Sequence, residues 1–492
     1  MKFYTNVYYD GNNALVREIT DQRVNKTERF KPSVFILTDK NTKYKTVDGK
    51  NTEKIELQNS FDLSEFKERY KDVRGFEIHG DIGTEYQYIN QNYEAEFEYD
   101  YSLLKILYID IETTCEEGFP DIQDPREKVI AITCKIDGNI TVFCLGSFHT
   151  DRKNIEVRQH CDEKDLLYNF IQFMANTKPD IISGWSVKYF DIPYLVNRIK
   201  SFEDDALSYK KLSPWGIVKQ KFITRNGKET CTFNLIGISV LDYYELYKTF
   251  TYTNQESYAL DHIAWVELGD RKISYTDYDN ISDFYKNNFQ LFIEYNIKDV
   301  ELVEKLEHKM RLMELAVALA YSAGVNFTDV FSQVRTWDVI IYNHLMRRNI
   351  IIPSKKDNDK NDQYAGAYVK DPLVGMHNWI VSFDIASMYP SSIMQFNISP
   401  ETYRGQHDIK LLPEDITSPR PNAEKIFLEA KSKNFSITAN GTYYDNTKQG
   451  FLAELMDKMF KERKTYKNKM IEAKKNLEEI NKELQKRGLL VK

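Results

Sequence analysis

Four carboxylates in three separate segments are the residues of this chain best suited to chemistry. They are Asp110 and Glu112 in Tyr-Ile-Asp-Ile-Glu-Thr, Asp191 in Lys-Tyr-Phe-Asp-Ile-Pro, and Asp299 in Tyr-Asn-Ile-Lys-Asp-Val. Their apolar and aromatic neighbours favour burial, and an unpaired buried carboxylate needs a cation or a raised pKa. Two divalent ions about 4 Å apart, held by carboxylate oxygens, can stabilise the attacking and leaving oxygens of phosphodiester cleavage. The four residues therefore predict a metal-dependent phosphodiesterase site.

The spacing within two of these segments places functional groups on one face. Asp110 and Glu112 are two residues apart on a predicted strand, so both side chains can share a metal. Tyr295 and Asp299 are four apart on a predicted helix, and the Tyr295 hydroxyl could orient the attacking water. Asp191 would complete the ligand set, although a helix cap is its ordinary alternative. Each pattern alone is common, but the three in this order favour a nuclease.

The elements that must position these residues follow from the apolar pattern. Apolar runs predict strands over residues 103–112, 129–135, 140–145 and 180–185. A helix with Asp162 as its N-cap is predicted before the last of these strands. Three antiparallel strands, a helix and a further strand, with a carboxylate on the first strand, are typical of the start of a ribonuclease-H-like nuclease domain.

Outside this region the pattern predicts further domains. Short alternating runs before residue 103 indicate a small β-rich domain without chemical motifs. Further predicted elements are a basic hairpin over 221–235, a long helical stretch over 281–323, a buried strand over 379–384 and a basic helix over 455–484. We expect an α/β multidomain protein with domains at 1–102 (to which 315–352 return), 103–314, 353–452 and 453–492.

Composition limits the classes of function. The 492 residues are enough for about three domains. A net charge of -7 argues against coating nucleic acid by bulk attraction, but residues 458–492 carry 12 Lys or Arg against 5 Glu and are locally basic. Five cysteines without metal-type spacing suit a reducing interior. No signal core and no apolar run of 18 residues occur, so we expect a cytoplasmic protein with no membrane partner.

The motifs resemble those of the family B DNA polymerases, and most closely the replicative group of T-even-type bacteriophages. The matching segments are Tyr108 to Glu112, Gly184 to Tyr194, Gly237 to Tyr243, Tyr295 to Asp299 and Phe331 to Trp337. The resemblance implies 3′→5′ proofreading in a host cytoplasm, with Asp110, Glu112, Asp191 and Asp299 as metal ligands and Tyr295 as a further catalytic residue. It also implies two Mg²⁺ ions per site, for which Mn²⁺ can substitute. Ser186 stands where the family commonly has Asn, which puts substrate affinity in doubt more than activity.

A second motif, Ser-Phe-Asp-Ile-Ala-Ser-Met-Tyr-Pro-Ser over 382–391, resembles the first polymerase motif of the same family. The resemblance implies that Asp384 is a catalytic metal ligand and that Ser387, Met388 and Tyr389 bind the nucleotide, with Tyr389 under the sugar. Met388 replaces the more usual Leu. The ordinary alternative is a strand that ends in a capping Asp before a helix.

Two weaker signals accompany this motif. Tyr364 and Gly366 in Tyr-Ala-Gly-Ala resemble a loop that helps to share the primer between the two sites, which implies DNA binding. Arg463 and Lys467 are four apart on the basic helix and match positions that clamp a triphosphate. The alternative for Arg463 and Lys467 is that they belong to a solvated charged face of the helix. For Lys467 this alternative has the same weight as binding of the triphosphate.

The later polymerase motifs of the family are missing from the sequence: a Lys with Asn-Ser-X-Tyr-Gly, and an Asp-Thr-Asp hairpin. The run Tyr-Thr-Asp-Tyr-Asp over 275–279 imitates the hairpin but precedes Tyr295, in the wrong order, and is expected to be a loop. One carboxylate cannot hold a two-metal polymerase site. We therefore expect the N-terminal part of a replicative DNA polymerase, with a complete exonuclease, an incomplete palm and the first fingers helix.

The expected partners are a primer-template, a single-stranded 3′ end, a dNTP and a second polypeptide with the remaining palm, fingers and thumb. A truncated polymerase would give the same sequence pattern. Two other functions are weighed beside this one: a stand-alone 3′→5′ exonuclease with vestigial polymerase motifs, and a noncatalytic DNA-binding scaffold.

Overall fold

The chain forms two compact units. Unit 1 comprises Met1–Thr46 and Lys50–Lys355, and unit 2 comprises Val47–Gly49 and Lys356–Lys492. This computed structural model describes all residues except 95–96, 117, 205–206, 226–227, 355–368, 408–410, 412–414, 416–417 and 488–492. No helix within the described ranges is long and apolar enough to cross a membrane.

Unit 1 is a mixed α/β structure. Its strands are β1 Phe3–Tyr9, β2 Asn13–Ile19, β3 Arg23–Arg29, β4 Ser33–Leu37, β5 Tyr44–Thr46, β6 Asn51–Glu56, β7 Ile78–His79, β8 Ile106–Thr113, β9 Val129–Ile136, β10 Asn139–Cys144, β11 Ile155–Gln159, β12 Ile181–Ser183, β13 Val218–Arg225, β14 Lys228–Leu235, β15 Ser239–Val240 and β16 Ile350–Ile351. Its helices are α1 Ser60–Tyr70, α2 Thr84–Asn92, α3 Glu163–Thr177, α4 Asp191–Ser201, α5 Tyr243–Phe250, α6 Leu260–Leu268, α7 Ile281–Asn287, α8 Phe289–Met310, α9 Leu312–Ala323 and α10 Gln333–Met346.

A six-stranded sheet in the order β11-β10-β9-β8-β12-β15 forms the centre of unit 1. Strands β8, β9 and β10 are antiparallel neighbours, while β12 runs parallel to β8. Odd-numbered residues of β8, among them Leu107, Ile109 and Ile111, enter a core shared with α3 and α4. The alternation of a strand therefore turns Asp110 and Glu112 to the opposite face.

The predicted helical stretch over 281–323 is three helices. Asn288 interrupts it with a φ of -144°, and its side chain caps α8 by accepting a bond from the Leu291 N–H. Arg311 interrupts it again in the left-handed region, at φ 55°. The Glu307 carboxylate then accepts the N–H groups of Met313 and Glu314 at 3.0 and 3.3 Å, which satisfies first-turn donors of α9. Apolar periodicity continues across both breaks, so periodicity alone could not locate them.

Several other predicted elements are confirmed with shifted ends. Asp162 is the N-cap of α3 and accepts from the Asp165 N–H. The hairpin is β13 and β14, and the first carboxylates lie on β8, which begins at residue 106 rather than 103. The strand predicted over 180–185 is shorter in the structure, where it is β12. The parallel edge strand β11 was not predicted, because its residues are a mixture of half-buried and exposed ones without a continuous apolar run.

The N-terminal strands and the later helices of unit 1 share one hydrophobic core, which includes Phe3, Val16, Val303 and Val317. Strand β16 also pairs in parallel with β5, which returns the chain to the N-terminal region. The region 1–102, which was predicted as a small β-rich domain, therefore packs against helices α8 and α9 from much later in the chain.

Arg17 connects β2 to the ends of the central strands. Its side chain is only 4% exposed, and its guanidinium donates to the carbonyls of Lys178 and Pro179 at 2.7 Å and of Gly237 at 2.5 Å. Asp180, 1% exposed, lies 3.2 Å from the same guanidinium. A buried cation with several fixed acceptors links these segments more tightly than a surface ion pair.

The described residues of unit 2 form a small sheet and three α-helices. Its elements are α11 Met388–Phe396, β17 Tyr403–Gln406, α12 Pro421–Ser432, β18 Phe435–Ile437, β19 Thr442–Asp445 and α13 Phe451–Lys486. Helix α13 confirms the basic helix predicted over 455–484. The sheet order is β17-β19-β18, and α11 packs against α13.

The prediction of a buried strand over 379–384 is wrong. These residues form no strand and are exposed, with Trp379 at 99% and Phe383 at 90%. A strand needs a neighbour to receive its backbone hydrogen bonds. In the described part of unit 2, the three strands pair with one another, and none is paired with this apolar run.

Replacing Arg17 should destabilise unit 1. We expect Arg17→Met to lower the free energy of unfolding by about 3 kcal/mol, because three carbonyls and Asp180 lose a buried charged partner. Thermal unfolding followed by circular dichroism would measure the loss. The control Arg69→Met removes an exposed guanidinium that pairs with Glu65 and should change stability by less than about 0.5 kcal/mol. Equal effects of the two substitutions would contradict this role of Arg17.

Candidate metal centre

Three of the four predicted carboxylates converge. Asp110, Glu112 and Asp299 each offer one oxygen, and these oxygens lie within 4.8 Å of one another. Strand β8 supplies the first two from the face turned away from the α3 and α4 core, and α8, which packs across β8 and β9, supplies the third. Asp299 is at least 187 positions from the two β8 carboxylates in the chain, and it meets them because α8 crosses β8.

Asp191 lies beside this group rather than in it. It is the first residue of α4, is 3% exposed, and its Oδ1 accepts the N–H of Ile111 at 3.1 Å. Ile111 is the residue between the two β8 carboxylates, so Asp191 is anchored to the strand that carries them. Phe190, not Asp191, occupies the N-cap position.

Burial, and after it the neighbouring charges, raise the pKa of the carboxylates. Burial is the main cause for Asp110, followed by the charges of Asp191, Asp299 and Glu112, and its pKa lies well above the ordinary value. Burial followed by Asp299 raises the pKa of Glu112 to about 8. Burial also raises the pKa of Asp191 to about 7, against the lowering effect of its Ile111 hydrogen bond. The site carries more negative charge than its surroundings neutralise.

Lys272 is a residue of this candidate site that sequence reasoning missed. Its Nζ lies 2.5 Å from Asp299 Oδ2 and 4.5 Å from the centre of the Tyr295 ring. Burial lowers its pKa, but Asp299 and Tyr295 outweigh that effect and raise it, so the ammonium is charged. Lys272 lies in the loop between α6 and α7, where one lysine in a polar segment carries no distinguishing pattern.

Tyr295 faces the same site from α8. It is 7% exposed, and burial followed by the charge of Asp299 raises the pKa of its hydroxyl, which stays protonated at neutral pH. Its ring meets that of Tyr275 edge to face at 5.8 Å. Tyr275 begins the run that imitates a polymerase hairpin; as predicted, this run is a loop, and it lines a cavity together with Lys272 and Tyr295.

The residues present fit a hard divalent cation. Asp299 Oδ2 pairs with Lys272, but its Oδ1 is buried and has no hydrogen-bond partner among the described residues. A buried carboxylate oxygen without a donor is unfavourable unless a cation binds it. An all-oxygen donor set with surplus negative charge suits Mg²⁺ or Mn²⁺.

The second predicted site lies in unit 2. Ser387 adopts the left-handed conformation at φ 53° immediately before α11, and its Oγ accepts a hydrogen bond from Arg463 Nη1 at 3.0 Å. Tyr389, on the first turn of α11, is 71% exposed. Arg463 lies on α13, so the two helices bring the motif residue and the predicted clamp residue together.

The remaining predicted residues of this site do not form a metal-binding cluster in the part of the chain that the structure describes. Asp384 and Lys467 are exposed, and Met388 is 46% exposed at the start of α11. Tyr364 and Gly366 lie outside the described residues. The structure thus joins Ser387 to Arg463, and the roles of all these residues stay predictions.

Two family models match segments of this chain. A model described as "DNA polymerase family B, exonuclease domain" matches residues 64–263, and one described as "DNA polymerase family B" matches residues 329–490. The first match includes Asp110, Glu112 and Asp191, and the second includes Asp384 and Arg463.

Curated relatives give the same result. The chain is 32% identical to the DNA-directed DNA polymerase of Escherichia phage RB69 and 31% identical to that of Enterobacteria phage T4, over 100% and 99% of this chain and 56% of each relative. It is 26% identical to the DNA polymerase delta catalytic subunit of Candida albicans, over 74% of this chain and 35% of the relative. The chain therefore spans about half the length of the curated relatives it matches.

Both family models and the alignments along nearly the whole chain agree, and the chain belongs to the family B DNA polymerases.

Proposed function

We propose that unit 1 is a two-metal-ion 3′→5′ exonuclease acting on single-stranded DNA ends. The observations that carry this proposal are the convergence of three carboxylates and, among the described residues, the lack of a hydrogen-bond partner for the buried Oδ1 of Asp299. Strands β8 to β10 with α3 and β12 support the finer assignment of a ribonuclease-H-like nuclease fold. The carboxylate at the middle of the first strand occupies the position where such a fold would carry its metal ligands.

The ligands would be Asp110, Glu112, Asp299 and, from its position beside β8, Asp191. Two Mg²⁺ ions, or Mn²⁺ in their place, would supply charge stabilisation at the attacking and leaving oxygens of the phosphodiester. The neutral Tyr295 hydroxyl would orient the attacking water.

Lys272 would add a fixed positive charge beside the scissile phosphate. Its ion pair with Asp299 orients the ammonium, and its position over the Tyr295 ring keeps these groups in one place. A charge that the protein already holds in the correct orientation can promote phosphodiester cleavage without forming a covalent intermediate.

Unit 2 would contribute part of a DNA polymerase site. Asp384 would bind metal, Ser387, Met388 and Tyr389 would bind the dNTP, and the Ser387–Arg463 contact supports a place for the triphosphate beside α13. Lys467 would assist Arg463, and Tyr364 and Gly366 would contact the primer.

Nucleotide transfer requires a second metal carboxylate, and we infer that it comes from polypeptide other than these 492 residues, whether a further segment or a second chain. The primer-template would then be the shared substrate of both sites. A stand-alone exonuclease is the competing function, and nucleotide incorporation distinguishes the two.

Removal of the metal ligands should abolish cleavage. The Asp110→Ala, Asp299→Ala double variant should lose at least about 1,000-fold in the rate at which 5′-labelled single-stranded DNA is shortened in Mg²⁺, because both metals lose a ligand. Glu294→Ala, on the exposed side of α8, is the matched control and should retain full activity. Digestion that survives in the double variant would refute these ligands.

The pH dependence of stability should reveal the surplus negative charge. Glu112 has a pKa of about 8 in the folded protein, against an ordinary 4.5, and the pKa of Asp299 is raised by burial to about 6, against the lowering effect of Lys272. The folded state therefore binds more protons than the unfolded state between about pH 4.5 and 8, and its stability falls as pH rises through this window.

Thermal unfolding in EDTA should therefore show a melting temperature that decreases from pH 5 to pH 8, more steeply in the wild type than in Glu112→Gln. Mg²⁺ should raise the wild-type melting temperature most at pH 8, because metal binding requires ionised carboxylates. Parallel pH profiles for the two proteins would contradict a strongly raised pKa at Glu112.

Primer extension should fail with this chain alone. We expect an annealed primer to shorten but not lengthen in Mg²⁺ and all four dNTPs, since one carboxylate cannot hold the polymerase metals. Extension should appear when a second polypeptide carrying the missing motifs is added, and Asp384→Asn should prevent it. Extension by the chain alone would contradict an incomplete site, and failure with every such second polypeptide would favour the stand-alone exonuclease.

A further inference from the structure

A hydrogen-bond relay of two buried residues reaches Asp110 of the candidate metal centre. The Asn296 amide is fully buried, and its Nδ2 donates to Asp110 Oδ2 at 2.6 Å. The Thr133 hydroxyl, also fully buried, donates to Oδ1 of the same amide. Neither residue belongs to the carboxylate set; Asn296 lies inside the Tyr295 to Asp299 segment, and Thr133 lies outside the matching segments.

The relay joins the three elements that form the site. Thr133 on β9 stands directly opposite Asp110 on β8 in the antiparallel register, so both side chains leave the sheet on one face. Asn296 lies on α8 between Tyr295 and Asp299 and closes the gap between the two strands and the helix. The position of Asp110 relative to α8 thus depends on one amide.

The orientation of that amide is the decisive feature. A carboxamide presents a donor at one end and an acceptor at the other. If it were reversed, its oxygen would face the carboxylate of Asp110, and two acceptors would meet in a buried place. The ionised carboxylate of Asp110 can only accept, so it selects the NH₂ end of the amide, and the Thr133 hydroxyl donates to the amide oxygen at the other end.

We infer that Thr133 and Asn296 are positioning residues that hold Asp110 Oδ2 and leave Oδ1 to bind the metal. The inference rests on the proposed exonuclease site and adds the groups that select the orientation of its first ligand. Partners of metal ligands that fix ligand orientation contribute to metal affinity without touching the ion. A purely structural role for the pair would satisfy two buried polar groups and leave metal affinity unchanged.

Metal binding can be measured independently of DNA cleavage. Mn²⁺ titration of the full chain, followed by the electron paramagnetic resonance signal of the free ion, gives a dissociation constant for each variant. Thr133→Val removes the hydroxyl at nearly constant volume and should weaken Mn²⁺ binding about 10-fold. Thr133→Ser keeps the donor and should bind as the wild type does.

Two further variants separate positioning from stability. Asn296→Leu removes the donor to Asp110 and should weaken Mn²⁺ binding by at least as much as Thr133→Val. Thr141→Val replaces a buried threonine on the neighbouring strand β10 and should leave Mn²⁺ affinity unchanged. Melting temperatures in EDTA would be recorded for all four variants.

The outcomes distinguish the relay from the nuclease proposal. Wild-type affinity in Thr133→Val, loss of affinity in Thr133→Ser equal to that in Thr133→Val, or equal loss in Thr141→Val would overturn the relay, even if the wild type degrades DNA. The expected affinity pattern together with a wild-type protein that degrades no DNA would uphold the relay and overturn the exonuclease. A wild-type protein that binds no Mn²⁺ would overturn both.

Discussion

Mutual repulsion among buried carboxylates is the constraint on which the centre of unit 1 depends. Asp110, Glu112 and Asp299 bring oxygens within 4.8 Å of one another, and Asp191 adds a fourth charge beside them. Each group loses hydration and faces like charges, which is why their pKa values are raised. The arrangement persists because β8 is held by an apolar core on its other face and α8 packs across it. Burial of apolar surface thus maintains a geometry that electrostatics opposes.

Asp242 shows how a buried carboxylate is satisfied when its role is to hold structure. It is fully buried, caps α5, and accepts the N–H groups of Ser186, Lys188 and Tyr244, each at 3.0 Å. These bonds hold the loop after β12, where Gly184 approaches Ile109 so closely that an added Cβ would lie 2.4 Å from its carbonyl oxygen. Asp299, by contrast, keeps one oxygen without a donor among the described residues. The number of hydrogen-bond donors that reach the carboxylate distinguishes the structural Asp242 from the candidate metal ligand Asp299 more clearly than burial does.

Local patterns in the sequence were sufficient for the parts of the site that a single element presents. The two-residue spacing of Asp110 and Glu112 and the four-residue spacing of Tyr295 and Asp299 each translate into a common face. Contacts between distant elements had no such signal: Thr133 and Asn296 are 163 residues apart, and Lys272 enters from a loop. The apolar run over 379–384 misled for a related reason. Its composition favours a strand, but a strand also requires a neighbour that the local sequence cannot specify.

Among the described residues, Lys272 is the cation that forms an ion pair within the carboxylate cluster, and this explains why the centre is suited to exchangeable metal ions. Lys272 neutralises one oxygen of Asp299, yet the pKa of Asp110 and Glu112 remains raised with this ammonium in place. A second lysine would relieve the repulsion permanently and occupy the remaining oxygens. With only one ammonium, the ionised cluster gains most from a divalent cation, and binding must displace protons from the carboxylates. The same unfavourable charge that raises the pKa values therefore provides the driving force for metal binding.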